Sequence, residues 1–96
     1  MEELRRFDIA AHGDNLMVVV ESDLLPPDPA IVVIPLIAGY PAVDRLNPKI
    51  RHDGHSYILA TRLIAAVRRS AVKRVGTAQS QADEITRAID ILLAGI

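Results

Sequence analysis

The clearest structural signal in the sequence is Lys49-Ile-Arg-His-Asp-Gly-His-Ser-Tyr-Ile-Leu-Ala60. Its two halves have the composition of strands, and Asp53-Gly54 lies between them. Asp-Gly favours the left-handed backbone conformations that a two-residue hairpin turn requires. The sequence therefore predicts a β-hairpin with one strand over Lys49–His52 and the other over His55–Ala60.

Three stretches ahead of this hairpin also have the pattern of strands. Phe7–Ala11 alternates loosely and Leu16–Glu21 is rich in β-branched residues, so the turn residues between them predict a first hairpin. Ile31–Ile37 is a continuous apolar run, which predicts a strand that is covered on both faces. Pro35 within it cannot donate a hydrogen bond, so we expect an edge or a bulge at that position.

The C-terminal part of the sequence changes from a strand period to a helical period. Ala71–Val75 predicts another short strand, ended by Gly76. Ser80–Asp83 resembles a capping pattern at the start of a helix, and Gly95 is typical of a helix end. The apolar stripe of the helix consists of Ile85, Ala88, Ile89 and Leu92. The predicted fold is mainly β (α+β): an open barrel of about five antiparallel strands followed by one C-terminal helix.

Two groups of apolar residues do not fit this core. The segment Ser22–Pro29 holds three prolines and predicts a loop, yet it contains Leu24 and Leu25. They either cover the end of the barrel or contact a partner. On the helix, Ile91, Leu93 and Ile96 lie outside the stripe. We therefore expect the end of the helix to contact something besides its own sheet.

Length and composition limit the function classes. The 96 residues are sufficient for one domain, 1–96, with a small core, for which a second copy would be a natural source of buried area. A net charge of −1 excludes a global basic field for nucleic acid, and the lack of cysteine excludes disulfides and thiolate metal sites. No apolar stretch reaches the roughly 20 residues of a membrane span. With no leader pattern at the N-terminus, we expect a cytoplasmic protein.

Residue types that carry chemistry are present but lack a recognisable spacing. His52 and His55 flank the Asp-Gly turn and, with Asp53 or Asp44, would offer a zinc ion too few ligands. A metal-free ribonuclease needs a base, an acid and a cation near a phosphate. The three histidines and the arginines could provide these groups only if the fold brought them together. The basic pairs Arg5-Arg6, Arg68-Arg69 and Lys73-Arg74 are interpreted as solvated surface. We expect no catalytic residue, no metal and no cofactor.

Three segments together resemble the CcdB family of toxins. They are Leu16-Met-Val-Val-Val-Glu-Ser-Asp-Leu-Leu25 with Val33-Ile-Pro-Leu36, then His52-Asp-Gly-His-Ser-Tyr57, and finally Asp83–Ile96 with its closing Gly-Ile. They occur in the family's order over nearly the whole chain. The resemblance implies an SH3-like barrel with a C-terminal helix, a homodimer and no enzymatic activity.

The resemblance also implies partners. Toxins of this family bind the A subunit of DNA gyrase and trap the enzyme while its DNA is cut. A small antitoxin with a disordered C-terminal segment releases them, and such pairs serve plasmid maintenance. Carried over position by position, the gyrase-binding surface comprises Leu24, Leu25, Asp90, Leu93, Ala94, Gly95 and Ile96. Two of these depart from the family pattern, since Asp90 replaces an asparagine and Ala94 replaces a tryptophan.

Two alternatives stay open at this level. The SH3-like barrel is shared with MazF-like endoribonuclease toxins, in which case Arg45, His52, His55 or Arg62 would have to converge on a basic groove. The other alternative is an inactive or retargeted relative of the CcdB toxins that binds only an antitoxin.

Overall fold

A computed structural model describes residues 3–95, in which seven β-strands are followed by one α-helix. The strands are β1 (Asp8–His12), β2 (Asn15–Val19), β3 (Ala30–Ile37), β4 (Lys49–His52), β5 (His55–Leu59), β6 (Ala65–Arg68) and β7 (Lys73–Thr77). The helix α1 spans Ala82–Ala94, and short 3-10 turns lie at Thr61–Leu63, Arg69–Ala71 and Gln79–Gln81.

All strand pairings are antiparallel, in the order β4-β5-β3-β2-β1-β7, and β6 pairs with β3. The sheet curls into an open, SH3-like half-barrel beside the C-terminal helix, which confirms the predicted fold class. The central hairpin is confirmed at its predicted position: His52 pairs with His55 across the turn. Asp53 and Gly54 both have positive φ, of 52° and 79°. These are the left-handed conformations that such a turn requires.

Successive side chains of a strand point to opposite faces, so β3 contributes to two apolar clusters. On the helix side, Ile34 and Leu36 pack with Val18 and with Ile85 and Ala88 of α1. On the other face, a second cluster consists of Leu4, Ala10, Met17, Val19, Ile31 and Val33. The prediction that β3 is covered on both faces is confirmed.

Several local predictions were wrong, each for an identifiable reason. Pro35 lies in an interior strand, at the step where β3 changes its partner from β6 to β5, so its missing N–H costs no ladder bond there. β1 begins at Asp8 because Phe7 has a φ of 74°, which strand geometry does not allow. Gln81 precedes α1 and makes no side-chain cap, so Ser80 does not cap the helix.

The strand count was also wrong. β6 was not predicted, and the last strand is Lys73–Thr77 rather than Ala71–Val75. Gly76 lies inside that strand, where the register with β1 shifts between Ile9 and Ala10. Gly95 does end the helix as predicted, with a φ of 73° and an N–H that donates to the Ile91 carbonyl at 2.9 Å.

Candidate functional site

The loop between β2 and β3, residues 22–29, displays two leucines. Leu24 is 94% exposed and Leu25 is 55% exposed, so the interpretation that they cover the end of the barrel is wrong for the single chain. Their backbone forms a tight turn. The N–H of Leu24 donates to the Ser22 hydroxyl at 3.1 Å, and the N–H of Leu25 donates to the Ser22 carbonyl at 3.2 Å.

Contacts at its two ends hold this loop. Asp23 Oδ1 accepts a hydrogen bond from the Arg6 backbone N–H at 2.8 Å, and Asp28 Oδ2 accepts one from the Ala30 N–H at 2.9 Å. No local sequence signal indicates the first of these contacts, because its partners are 17 positions apart. The loop tip is therefore exposed while its ends are fixed.

Beside the loop lies an open cleft of about 1260 Å³, lined by the loop, the segment before β1 and the residues around β6. Leu4, Leu25 and Ile31 supply apolar walls, and both signs of charge occur around it. The interpretation of the basic pair Arg68-Arg69 as solvated surface was wrong for Arg69. The Arg69 side chain is only 14% exposed and faces Glu21.

The end of α1 forms the second exposed group. Leu93 is 76% exposed, and Asp90, Ala94 and Gly95 are also exposed. A Cβ added at Gly95 would meet no atom within 4 Å, so nothing covers this end of the helix within the described chain. Ile96 lies outside the described residues.

Six predicted site residues therefore lie on the surface, in two groups: the loop leucines, and Asp90, Leu93, Ala94 and Gly95 of the helix end. Within residues 3–95, no hydrogen bond or ion pair joins the loop 22–29 to the helix end. Each group exposes leucine to solvent. Covering such an apolar side chain with a partner would stabilise the complex.

The residues proposed for a ribonuclease are not joined by polar contacts. His52 and His55 are opposite each other on the hairpin, Arg45 lies in the segment before β4, and Arg62 lies in the 3-10 turn after β5. In the part of the chain that the structure describes, no hydrogen bond or ion pair links any two of these four side chains.

The histidines have other environments. The His52 ring lies against Gly76, and His12 Nδ1 lies 2.8 Å from the Ala71 carbonyl oxygen. Among the described residues, no three His, Asp or Glu side chains are grouped in a way that would hold a metal ion.

Comparison with known proteins identifies the fold family. Residues 6–95 match the family described as CcdB protein, which is nearly the whole chain. No curated protein sequence matches the chain. Over residues 3–95, no helix has the length and apolar character needed to cross a membrane. The chain belongs to the CcdB family, the toxins of toxin–antitoxin pairs.

Proposed function

We propose that this toxin acts by binding the A subunit of DNA gyrase and stabilising the state in which the DNA strands are cut. The observation that carries the proposal is the exposure of leucine at both places where the family's target-binding residues fall, Leu24 on the loop and Leu93 on the helix end. The proposed surface comprises Leu24, Leu25, Asp90, Leu93, Ala94, Gly95 and Ile96.

Such a surface acts without catalytic groups. A ligand shifts an equilibrium between two states of its partner only by its difference in affinity for them. A protein that binds the cleaved gyrase complex more tightly than the resealed complex therefore increases the population of broken DNA. Burying one exposed leucine contributes about 1.5–3 kcal/mol. The leucines of the loop and the helix end can therefore supply affinity, and the mechanism requires that they be more fully covered in the cleaved complex than in the resealed one.

Ala94 is the position at which this chain departs most from its family. Truncating a buried aromatic anchor typically costs at least about 2 kcal/mol of binding free energy, or about 30-fold in affinity. The neighbouring Leu93 offers apolar area one residue earlier on the same helical turn. We propose that the leucines carry the affinity that the family draws from its tryptophan.

We also propose that the toxin is a cytoplasmic homodimer of a single domain, neutralised by a small antitoxin. The described chain leaves the helix end uncovered, and a domain of this length buries only about 60–65% of its unfolded surface. A second copy would add buried area. An antitoxin segment that is disordered when free can wrap a large surface and folds as it binds.

The experiment is a gyrase cleavage assay with the wild-type protein and with Ala94→Trp. We expect the wild type to accumulate linear DNA and Ala94→Trp to do so at lower protein concentration, because the anchor adds affinity. Linear DNA with Ala94→Trp alone would mean that the scaffold is competent but the natural target differs. No linear DNA with either protein would contradict gyrase poisoning.

A further inference from the structure

We infer that Arg69 is a positioning residue: it holds the returning end of the loop 22–29 and so fixes how Leu24 and Leu25 are presented. The part of this inference that concerns target binding rests on the proposed function. Arg69 is 45 positions from Leu24 in the sequence and does not belong to the proposed target surface.

Arg69 donates hydrogen bonds to two consecutive backbone carbonyl groups at the end of the loop, one from its side chain and one from its backbone. Its side-chain Nε donates to the Asp28 carbonyl at 3.0 Å, and its backbone N–H donates to the Pro29 carbonyl at 2.7 Å. Arg69 opens the 3-10 turn after β6, the strand whose Arg68 pairs with Ala30 at the start of β3, so both bonds extend that pairing into the loop.

The same guanidinium also contacts the residue that precedes the loop. One terminal nitrogen, Nη2, lies 3.6 Å from Glu21 Oε2, and the two side chains are only 14% and 13% exposed. The other carboxylate oxygen of Glu21 accepts a hydrogen bond from the Val32 N–H at 3.3 Å. The guanidinium therefore joins the chain before the loop to the chain after it.

An arginine suits this position because its planar group donates in several fixed directions at once. One edge reaches a carboxylate while Nε reaches a carbonyl. A lysine ammonium is a single point charge and lacks the Nε donor. The partial burial of the pair limits screening by water and salt.

The loop tip needs such external support. Leu24 is almost fully exposed, and its own backbone bonds are local to the turn. The bond from the Arg6 N–H to Asp23 holds the outgoing side of the loop, and Arg69 holds the returning side. A rigid loop binds more tightly than a mobile one because less conformational entropy is lost on binding.

The test compares Arg69→Gln with the matched control Glu21→Gln in the full chain. Both substitutions remove the ion pair, but only Arg69→Gln removes the Nε bond to Asp28. The first readout is the NMR order parameter of the Leu24 and Leu25 amides in the free protein. The second is the affinity for the purified A subunit of DNA gyrase.

We expect Arg69→Gln to lower the order parameters from about 0.85 to below about 0.6. Affinity should fall by about tenfold, the factor expected if roughly a tenth of the molecules keep the competent loop. In Glu21→Gln, which keeps the Nε bond to Asp28, the loss of order should be smaller than in Arg69→Gln and the affinity should stay within about twofold. If Arg69→Gln does not fold, Arg69→Lys replaces it, with the same expected loss of order because the Nε donor is absent.

Three results would overturn the inference. They are unchanged order in the folded Arg69 variant, an equal loss of order in Glu21→Gln, and unchanged gyrase affinity despite a loosened loop. If the wild type does not bind gyrase at all, the proposed function is wrong, and the order parameters of the free protein still decide whether Arg69 holds the loop.

Discussion

The imidazole of His52 lies against the backbone of Gly76, so close that a Cβ at position 76 would be 2.8 Å from Cε1 and 3.0 Å from Nδ1 of the ring. His52 ends β4 and Gly76 lies in β7, the two strands at opposite ends of the sheet order. This contact brings the two ends of the curled sheet together, and it explains why a glycine stands inside a strand.

Replacing Gly76 with alanine is expected to lower the free energy of unfolding by about 1–2 kcal/mol, because the new methyl group must displace the His52 ring. Denaturant unfolding measures this change. In a His52→Ala background, the same substitution should cost little, since no ring is left to displace. An equal cost of Gly76→Ala in both backgrounds would show that the two residues are not coupled.

The Gln81 side chain occupies backbone hydrogen-bonding groups of β4, which lies at one edge of the sheet. Its Nε2 donates to the Lys49 carbonyl at 2.7 Å, and its Oε1 accepts from the Arg51 N–H at 3.0 Å, so the side-chain amide occupies alternate backbone groups of edge strand β4. We expect Gln81→Ala to lower stability by about 1 kcal/mol and to speed hydrogen exchange at the Arg51 amide.

The matched control for this prediction is Gln79→Ala. Gln79 is exposed, and among the described residues it is Gln81, not Gln79, whose side chain bonds to β4. Exchange at Arg51 should stay at the wild-type rate in that variant. A wild-type rate in Gln81→Ala as well would contradict the assigned role.

Thr61 is fully buried, and its hydroxyl donates to the carbonyl of Leu46. Its backbone N–H lies 3.4 Å from Asn47 Oδ1, so this residue ties the segment before β4 to the turn after β5. Thr61→Val keeps the shape but leaves the Leu46 carbonyl without this donor. We expect a loss of about 1–3 kcal/mol in thermal or denaturant unfolding.

Thr61→Ser separates the contribution of the hydroxyl to stability from that of the methyl group. It keeps the donor and loses one methyl, so its cost should be smaller than that of Thr61→Val. The reverse order would mean that packing, rather than the hydrogen bond, dominates at this position.

Leu24→Ala and Leu93→Ala are expected to change binding without changing stability. Because both side chains are largely exposed, the free energy of unfolding should change by less than about 0.5 kcal/mol. Each loss of a buried leucine at the interface should weaken gyrase binding by about tenfold or more. Titration of the purified A subunit measures this effect. Leu63→Ala removes an exposed leucine outside the proposed surface, and it should bind as the wild type does.

Local sequence was sufficient to predict an element where the same segment contains both its hydrophobic pattern and the turn or cap residues that end it. The Asp53-Gly54 turn fixed the register of β4 and β5, and the spacing of Ile85 and Ala88 correctly identified the buried face of α1. Local sequence was insufficient for β6. Its alanines have little strand propensity, and the segment is a strand because it pairs with residues 30–33 of β3.

The sequence by itself determined the fold class, because strand alternation, turn chemistry and helical spacing are local properties, and its motifs carried the resemblance to the family. The exposure of Leu24 and Leu25 was decided by the structure. Only the tertiary structure decided that Pro35 lies inside the sheet, that His52 meets Gly76, and that the Arg69 side chain bonds Asp28, 41 positions away, and faces Glu21. Such contacts depend on how distant segments pack. No sequence window contains both of their partners.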